Sequence, residues 1–315
     1  MKQFISTILK PYQEKFNEEL EQEFIQPLSD TKLQSIYRYI LEGGKRVRPI
    51  IIEEICRVMK QTTQPVISSS SIKIIIELLH SSSLIIDDLP CMDNDTERRR
   101  KPTAHIQYGE IGAEVISFSL LLQVPKYLTI LYDELVPIYS SQEAADRVVA
   151  IYKNIVYNLG TNGAMMGQYL DLLPQILQQN VSETMKSLYN HTNSTIDIIH
   201  KKTSSLFEIS FVSAYLLSRG SYEKLPTIKK AAKLFGLAFQ ISDDFLDIDD
   251  DEQRSQDNLS PNYVLNNGKS NSFIFLKQII VEFRELMIEL NLWSYLFNGL
   301  CLFLLYRAEK TIEIK

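Results

Sequence analysis

Two acidic clusters carry the chemistry this chain could do. DDLPCMDND, residues 87–95, follows the apolar SSSLII, and SDDFLDIDDD, residues 242–251, follows the apolar GLAFQI. Carboxylates bunched beside apolar walls repel one another and are costly to desolvate, so a positive partner is expected to share them. One acidic cluster at a helix end is usually a solvated terminus. Two of similar layout, each closing an apolar segment, are poorly explained that way. The candidate donors are carboxylate oxygens, which favours a hard cation. Neither cluster has the compact, glycine-bent loop of a closed calcium cage, whereas magnesium takes one or two carboxylates and fills its shell with waters and substrate phosphates. The two banks therefore predict a magnesium–diphosphate sandwich.

Basic residues complete that picture. GGKRVRP supplies Lys45, Arg46 and Arg48, ERRRKPT supplies Arg98, Arg99, Arg100 and Lys101 just past the first bank, and Lys201 and Lys202 lie further on. Such runs alone usually solvate a surface. Beside acidic banks they imply an anionic substrate with more than one phosphate, which arginine's planar fork recognises well. Polar residues also share faces at helical spacing: Lys73, Glu77, His80 and Asp87; Gln168 and Asp171; Lys233, Gly236, Gln240, Asp243 and Asp247. His80 by itself reads as a core histidine, and its place two turns before Asp87 is what marks it.

The elements that must position these groups are helices. SDTKLQSIYRYILEGG has an apolar stripe at Leu33, Ile36, Tyr37, Ile40 and Leu41, with Ser29 or Asp30 to cap it and Gly43 to end it. Pro49 suits the first turn of the next helix. Residues 71–86 are apolar or small nearly all round, as in a buried helix, and 111–136, 143–171, 182–217 and 227–248 also read as helical. No strand alternation is long enough for a sheet, and the polar stretch 253–272 reads as a surface loop. With only 11 Gly and 11 Pro in 315 residues the turn vocabulary is thin, which favours long helices in one all-α domain spanning 1–315.

Other classes fall away. A net charge of −6 with no basic face argues against nucleic acid as a partner. Cys56, Cys91 and Cys301 fit neither a disulfide framework nor a zinc site, so a reducing, cytoplasmic setting is expected. The N-terminal segment turns acidic too early for a secretory signal. Residues 291–307 are the only membrane-like stretch; they fall short of the ~20 residues a span needs and are broken by Asn298 and Gly299. A buried terminal helix, and no transmembrane segment, is expected.

Taken together, GGKRVRP, DDLPCMDND with RRRKPT, GQYLD, the KT of HKKTSS and GLAFQISDDFLD resemble the trans-isoprenyl diphosphate synthases, enzymes that join isopentenyl diphosphate to an allylic diphosphate. The resemblance implies a bundle of long antiparallel helices around a deep central cavity, usually a homodimer. It implies Mg²⁺ as cofactor, three ions with diphosphate bound, on Asp87, Asp88 and Asp93 of the first bank and Asp243 and Asp247 of the second, with Asp244 assisting. Lys45, Arg48, His80 and Arg99 match the isopentenyl diphosphate site. Arg98, Lys202, Thr203 and Gln240 match the groups that hold the allylic diphosphate and the developing charge, and Phe239 neighbours the reacting carbons. Ionisation of the allylic diphosphate, attack by the isopentenyl double bond and proton loss to pyrophosphate would need no protein nucleophile.

Departures from the family pattern are Ile86 before the first aspartate, Arg100 where a glycine usually follows the arginine pair, and a barely recognisable loop after the second bank, in which Lys269 is the candidate lysine. Product length should be set one helical turn before Asp87, at Ser82 and Ser83. Both are small, so elongation should run deeper, towards Leu79 or Ile75, giving a twenty-carbon geranylgeranyl product. A farnesyl product, a class I terpene cyclase on the same fold and an inactive regulatory subunit are the alternatives.

Overall fold

The computed structural model describes residues 2–60, 68–178, 194–254 and 262–313. Helices dominate, as expected. In chain order they are α1 (Lys2–Glu19), α2 (Thr31–Leu41), α3 (Val47–Lys60), α4 (Ser70–Asp87), α5 (Ala104–Tyr108), α6 (Glu110–Leu135), α7 (Ser141–Leu159), α8 (Ala164–Gln178), α9 (Thr195–Ile199), α10 (Ser205–Leu217), α11 (Leu225–Asp244), α12 (Ile248–Arg254), α13 (Tyr263–Asn267), α14 (Lys269–Glu289) and α15 (Tyr295–Glu313). Among the described residues the only strands are the two-residue ribbon β1 (Glu97–Arg98) and β2 (Lys101–Pro102), paired antiparallel.

Local chemistry explains most boundaries. Asp30 caps α2 by accepting from the amides of Lys32 and Leu33. Three expected boundaries move. The stretch 143–171 is two helices, because GTNG at 160–163 turns the chain between α7 and α8. The stretch expected as one helix from 182 to 217 is α9, a π-helical turn at His200–Ser204 and then α10, and its residues 182–193 lie outside those described. Most of the loop expected at 253–272 that is described is helical: Asn262 caps α13 through the amides of Val264 and Leu265, and α14 begins at Lys269.

The chain divides into two compact units. One comprises Thr7–Tyr152 and Ser213–Arg219, the other Met1–Ser6, Lys153–Val212 and Gly220–Lys315. In the first, α4 is buried nearly all round: Ile72, Ile74, Ile75, Ile76, Leu78 and Leu79 are shielded as it packs on α3 and α6. In the second, Phe207, Phe211, Phe235, Phe283 and Phe297 stack edge-on or tilted with centroids 5.2–6.1 Å apart. Burying each ring contributes about 1.5–3 kcal/mol, and this cluster fixes α11 against α14.

Residues 291–307 fall mostly in α15, where Leu296, Phe297, Leu300 and Leu304 are buried. They are not the only membrane-like stretch, however. α6 is long and apolar enough to cross a membrane by length and composition, with a mean hydropathy of 1.4 over its most apolar window, 39% of which is buried.

Candidate active site

The first acidic bank forms where α4 ends. Asp87 closes the helix, and the chain folds back so that the Asp93 amide donates to the Asp87 carbonyl at 2.9 Å while Met92 and Asn94 donate to Leu89. This turn sets the two aspartates side by side, Asp87 half-buried and Asp93 exposed. Asp88 points elsewhere: it is 3% exposed, and Arg98 grips it, with Nε 2.8 Å from both carboxylate oxygens. Burial pushes the Asp88 carboxyl up and Arg98 pulls it back. Arg98 sits in β1, and the two-residue turn behind it, Arg99 and Arg100, has positive φ at both positions (56° and 64°), the geometry of a tight hairpin turn. The family glycine at position 100 answers that demand, and this chain meets it with an arginine.

A cationic wall stands in the same unit. Lys45 is exposed, Arg46 is buried and Arg48 is half-buried. Arg48 Nη1 lies 3.4 Å from His80 Nε2. His80 is held well below the usual histidine range by burial and then by the charges of Arg48, Arg99, Arg98 and Arg46. It is therefore neutral, with Nε2 accepting from Arg48. Four arginines from two separate motifs thus bear on one imidazole. Arg46 pairs with Glu77, and Arg98 with Asp88. Arg99 donates to the Glu42 carbonyl at 3.1 Å, and its own pKa is lowered by burial and by Arg46 and Arg98. Four guanidinium groups concentrate positive charge beside His80, an environment that an anionic group complements.

The two serines before Asp87 face different ways. Ser82 is buried, its hydroxyl 2.7 Å from that of Ser117 on α6. Ser83 is half-buried, as are His80 and Asp87, and these three share one helix face. Leu79 is buried in the core.

In the other unit, Asp243, Asp244 and Asp247 crowd the end of α11. Arg307 of α15 forms an ion pair with Asp243. Asp244 is buried, accepts from Gln240 Nε2 and the Tyr263 amide at 2.8 Å each, and is pushed by burial up to about 7. Asp247 is exposed. Thr203 donates to Gln240 Oε1 at 2.7 Å, Lys202 forms an ion pair with Asp171, and the Phe239 ring lies 5.2 Å from that of Phe207. Thr203, Gln240 and Asp244 are thereby joined in one hydrogen-bonded chain. A Cβ on Gly167 would lie 2.2 Å from the Lys202 amide and one on Gly236 2.6 Å from Ser204, so glycine is what lets α8 and α11 approach the π-turn. Lys269, at the head of α14, donates to the Thr311 carbonyl at 3.2 Å.

Three contributors were not singled out from sequence. Arg307 lay hidden at the end of an apolar run, though a buried charge there demands a partner. Asp171, noted only for its register with Gln168, is the counter-ion of Lys202. Asn262 donates to the Asp244 carbonyl at 2.9 Å and to Asp251 at 2.8 Å, docking the segment after the second bank.

Asp87 and Asp93, brought together by a backbone hydrogen bond, offer the oxygen donors a hard cation takes. Among the described residues no three His, Cys, Asp or Glu side chains gather about one point; magnesium is a cation that takes one or two carboxylates and completes its shell with water and substrate oxygen.

A family model described as polyprenyl synthetase matches residues 30–260. Geranylgeranyl pyrophosphate synthase 3, chloroplastic, of Arabidopsis thaliana is 34% identical over 218 residues, 69% of this chain and 55% of that protein. Geranylgeranyl diphosphate synthase of Cyanophora paradoxa is 30% identical over 253 residues, 80% of this chain and 77% of its own length. The chain thus spans only about half the length of the plant relative. Among solved structures, a geranyltransferase from Legionella pneumophila superposes with a TM-score of 0.73 at 23% identity, covering 98% of both chains, and an FPP/GFPP synthase from Zymomonas mobilis with 0.69 at 21%, covering 97% of both. At that identity the likeness establishes the all-α fold.

Proposed function

Since the chain belongs to the polyprenyl synthetase family, we propose that it condenses isopentenyl diphosphate with an allylic diphosphate, head to tail, to give geranylgeranyl diphosphate, with residues 1–315 working as one domain. The observation that carries this reading is the convergence of Arg46, Arg48, Arg98 and Arg99 on neutral His80, three residues upstream of Ser83 and seven upstream of Asp87. A cluster of guanidinium groups beside an acidic bank suits a substrate that brings its own negative charge and its own metal ligands.

In this reading Lys45, Arg48, His80 and Arg99 hold isopentenyl diphosphate. Arg98, set by Asp88, and Lys202, set by Asp171, hold the allylic diphosphate. Asp87 and Asp93 of the first bank, and Asp243 and Asp247 of the second, would bind Mg²⁺, which when bound supplies Lewis-acid stabilisation of departing pyrophosphate. Thr203 and Gln240, hydrogen-bonded to each other, would offer polar oxygens to the developing positive charge, and Phe239 would shield it from water. Ser83, small and one turn before Asp87, lets the growing chain pass towards Leu79 or Ile75.

The chain is further proposed to act as a homodimer. Ile111, Val115, Phe118 and Leu122 are 80, 61, 60 and 74% exposed and recur every three or four residues along α6, a seam suited to a second copy of itself. The cytoplasm is the proposed compartment, in keeping with three unbridged thiols. The test is incubation with labelled isopentenyl diphosphate, Mg²⁺ and dimethylallyl, geranyl or farnesyl diphosphate in turn. Label should appear in a C20 product; no incorporation with any primer refutes the reading.

A further inference from the structure

The GGKRVRP turn carries three cations, and the structure uses one of them inwardly. Arg46 is 5% exposed. Its guanidinium is enclosed by the Glu77 carboxylate, the Leu41 carbonyl and Asn17 Oδ1, the last at 2.9 Å from Nε, with the Phe16 ring centroid 5.8 Å away. Its backbone has φ +56, a left-handed conformation that an arginine keeps only when its surroundings enforce it. A Cβ on Gly44 would lie 2.7 Å from Arg46 Nη1, so the glycine makes room for the inward fold. The Arg46 carbonyl then accepts the first hydrogen bond of α3, from Ile50 at 3.0 Å, and so sets where the helix bearing Arg48 begins.

The other half of this arrangement comes from α1, which lies before the residues that match the family. Gln13, Phe16 and Asn17 share one face of α1. Asn17 holds Arg46, and Gln13 Nε2 donates to the Lys45 carbonyl at 2.8 Å. α1 is itself fastened: Tyr12 donates to Glu54 at 3.1 Å, Lys15 to Glu53 at 2.5 Å, and Glu19 pairs with Lys73 at 2.6 Å. Burial pushes the Glu53 carboxyl up, but Lys73 and Lys15 outweigh it and hold it at about 2. Glu53 is therefore ionised throughout the neutral range.

We propose that α1 and Arg46 form a clamp that positions the isopentenyl diphosphate site. Arg46 is an anchor, not a phosphate ligand; together with Gln13 and Asn17 it fixes the backbone from Gly43 to Arg48 so that Lys45 and Arg48 present to one anion. This rests on the proposed assignment of Lys45 and Arg48 to that substrate.

The test is steady-state kinetics of full-length variants, measuring KM for isopentenyl diphosphate and for farnesyl diphosphate separately. Asn17→Ala and Gln13→Ala should each raise the isopentenyl diphosphate KM about fivefold, the effect of one lost hydrogen bond. kcat and the farnesyl diphosphate KM should not change, and Asn17→Asp, which keeps the acceptor, should restore the wild-type value. Arg46→Met alone strands the Glu77 charge and can unfold the protein. The double variant Arg46→Met, Glu77→Leu removes both charges and should melt near the wild type with the same selective KM defect. Wild-type KM values in Asn17→Ala and the double variant, while Lys45→Ala raises the isopentenyl diphosphate KM, would overturn the clamp and leave the site intact. Equal rises in both KM values would also overturn it, as a merely structural effect. An unchanged KM in Lys45→Ala would overturn the site assignment itself.

Discussion

Replacing Ser83 with phenylalanine should shorten the product by one five-carbon unit, whereas the same change at Ser82 should not. Ser83 lies four residues before Asp87, about 6 Å along the helix axis, on the half-buried face it shares with His80 and Asp87. One helical turn is about the length of one isoprene unit, so a ring there stops a chain one unit early and turns a C20 product into C15. Ser82 faces the other way. It is 2% exposed and hydrogen-bonded to Ser117, and a phenyl ring forced between α4 and α6 costs about 1–3 kcal/mol through overpacking. Ser82→Phe should therefore lower the melting temperature and leave chain length alone. The assay is chromatography of dephosphorylated products from labelled isopentenyl diphosphate, with thermal unfolding of the same preparations. A shortened product from Ser82→Phe at wild-type stability, with Ser83→Phe still making C20, would refute the assignment of faces.

Three other outcomes follow from the geometry. Asp244 has its folded pKa raised to about 7 from an ordinary 3.8, so the folded state holds a proton the unfolded state has lost. This group's contribution is greatest below about pH 4 and falls as pH rises to 7, with a slope of at most ~1.4 kcal/mol per pH unit; Asp244→Asn should flatten that part of the denaturation profile. Arg100→Gly should relieve the positive φ of the hairpin turn and stabilise the protein by about 1 kcal/mol, read as a higher urea midpoint at unchanged m-value. Phe118→Glu with Leu122→Lys should break the proposed α6 seam, and sedimentation should show a dimer for the wild type and a monomer for the variant.

Much of this was legible in the sequence, for identifiable reasons. The cap at Asp30, the all-round burial of α4 and the burial of α15 follow from side-chain type and spacing alone. The α7–α8 break was not legible, because the apolar spacing resumes after GTNG and a glycine is tolerated inside a helical pattern. The acidic banks announce themselves by composition, but which aspartate meets an arginine is decided by tertiary placement. Asp88 is adjacent to Asp87 in sequence and turned away from it in space, onto Arg98. Ser82 and Ser83 part in the same way, since neighbours on a helix point about 100° apart. Arg307 reaches Asp243 from 64 residues away, a pairing no local pattern contains.

The central claim is that both acidic banks grip divalent cations that draw pyrophosphate off an allylic tail. The most direct measurement is the Mg²⁺ dependence of label incorporation from isopentenyl diphosphate in the wild type, Asp87→Ala and Asp243→Ala. Both variants should lose about 100-fold or more in kcat and need more Mg²⁺ for half-maximal rate, while remaining folded. A wild-type rate and a wild-type Mg²⁺ requirement in either one would contradict the account.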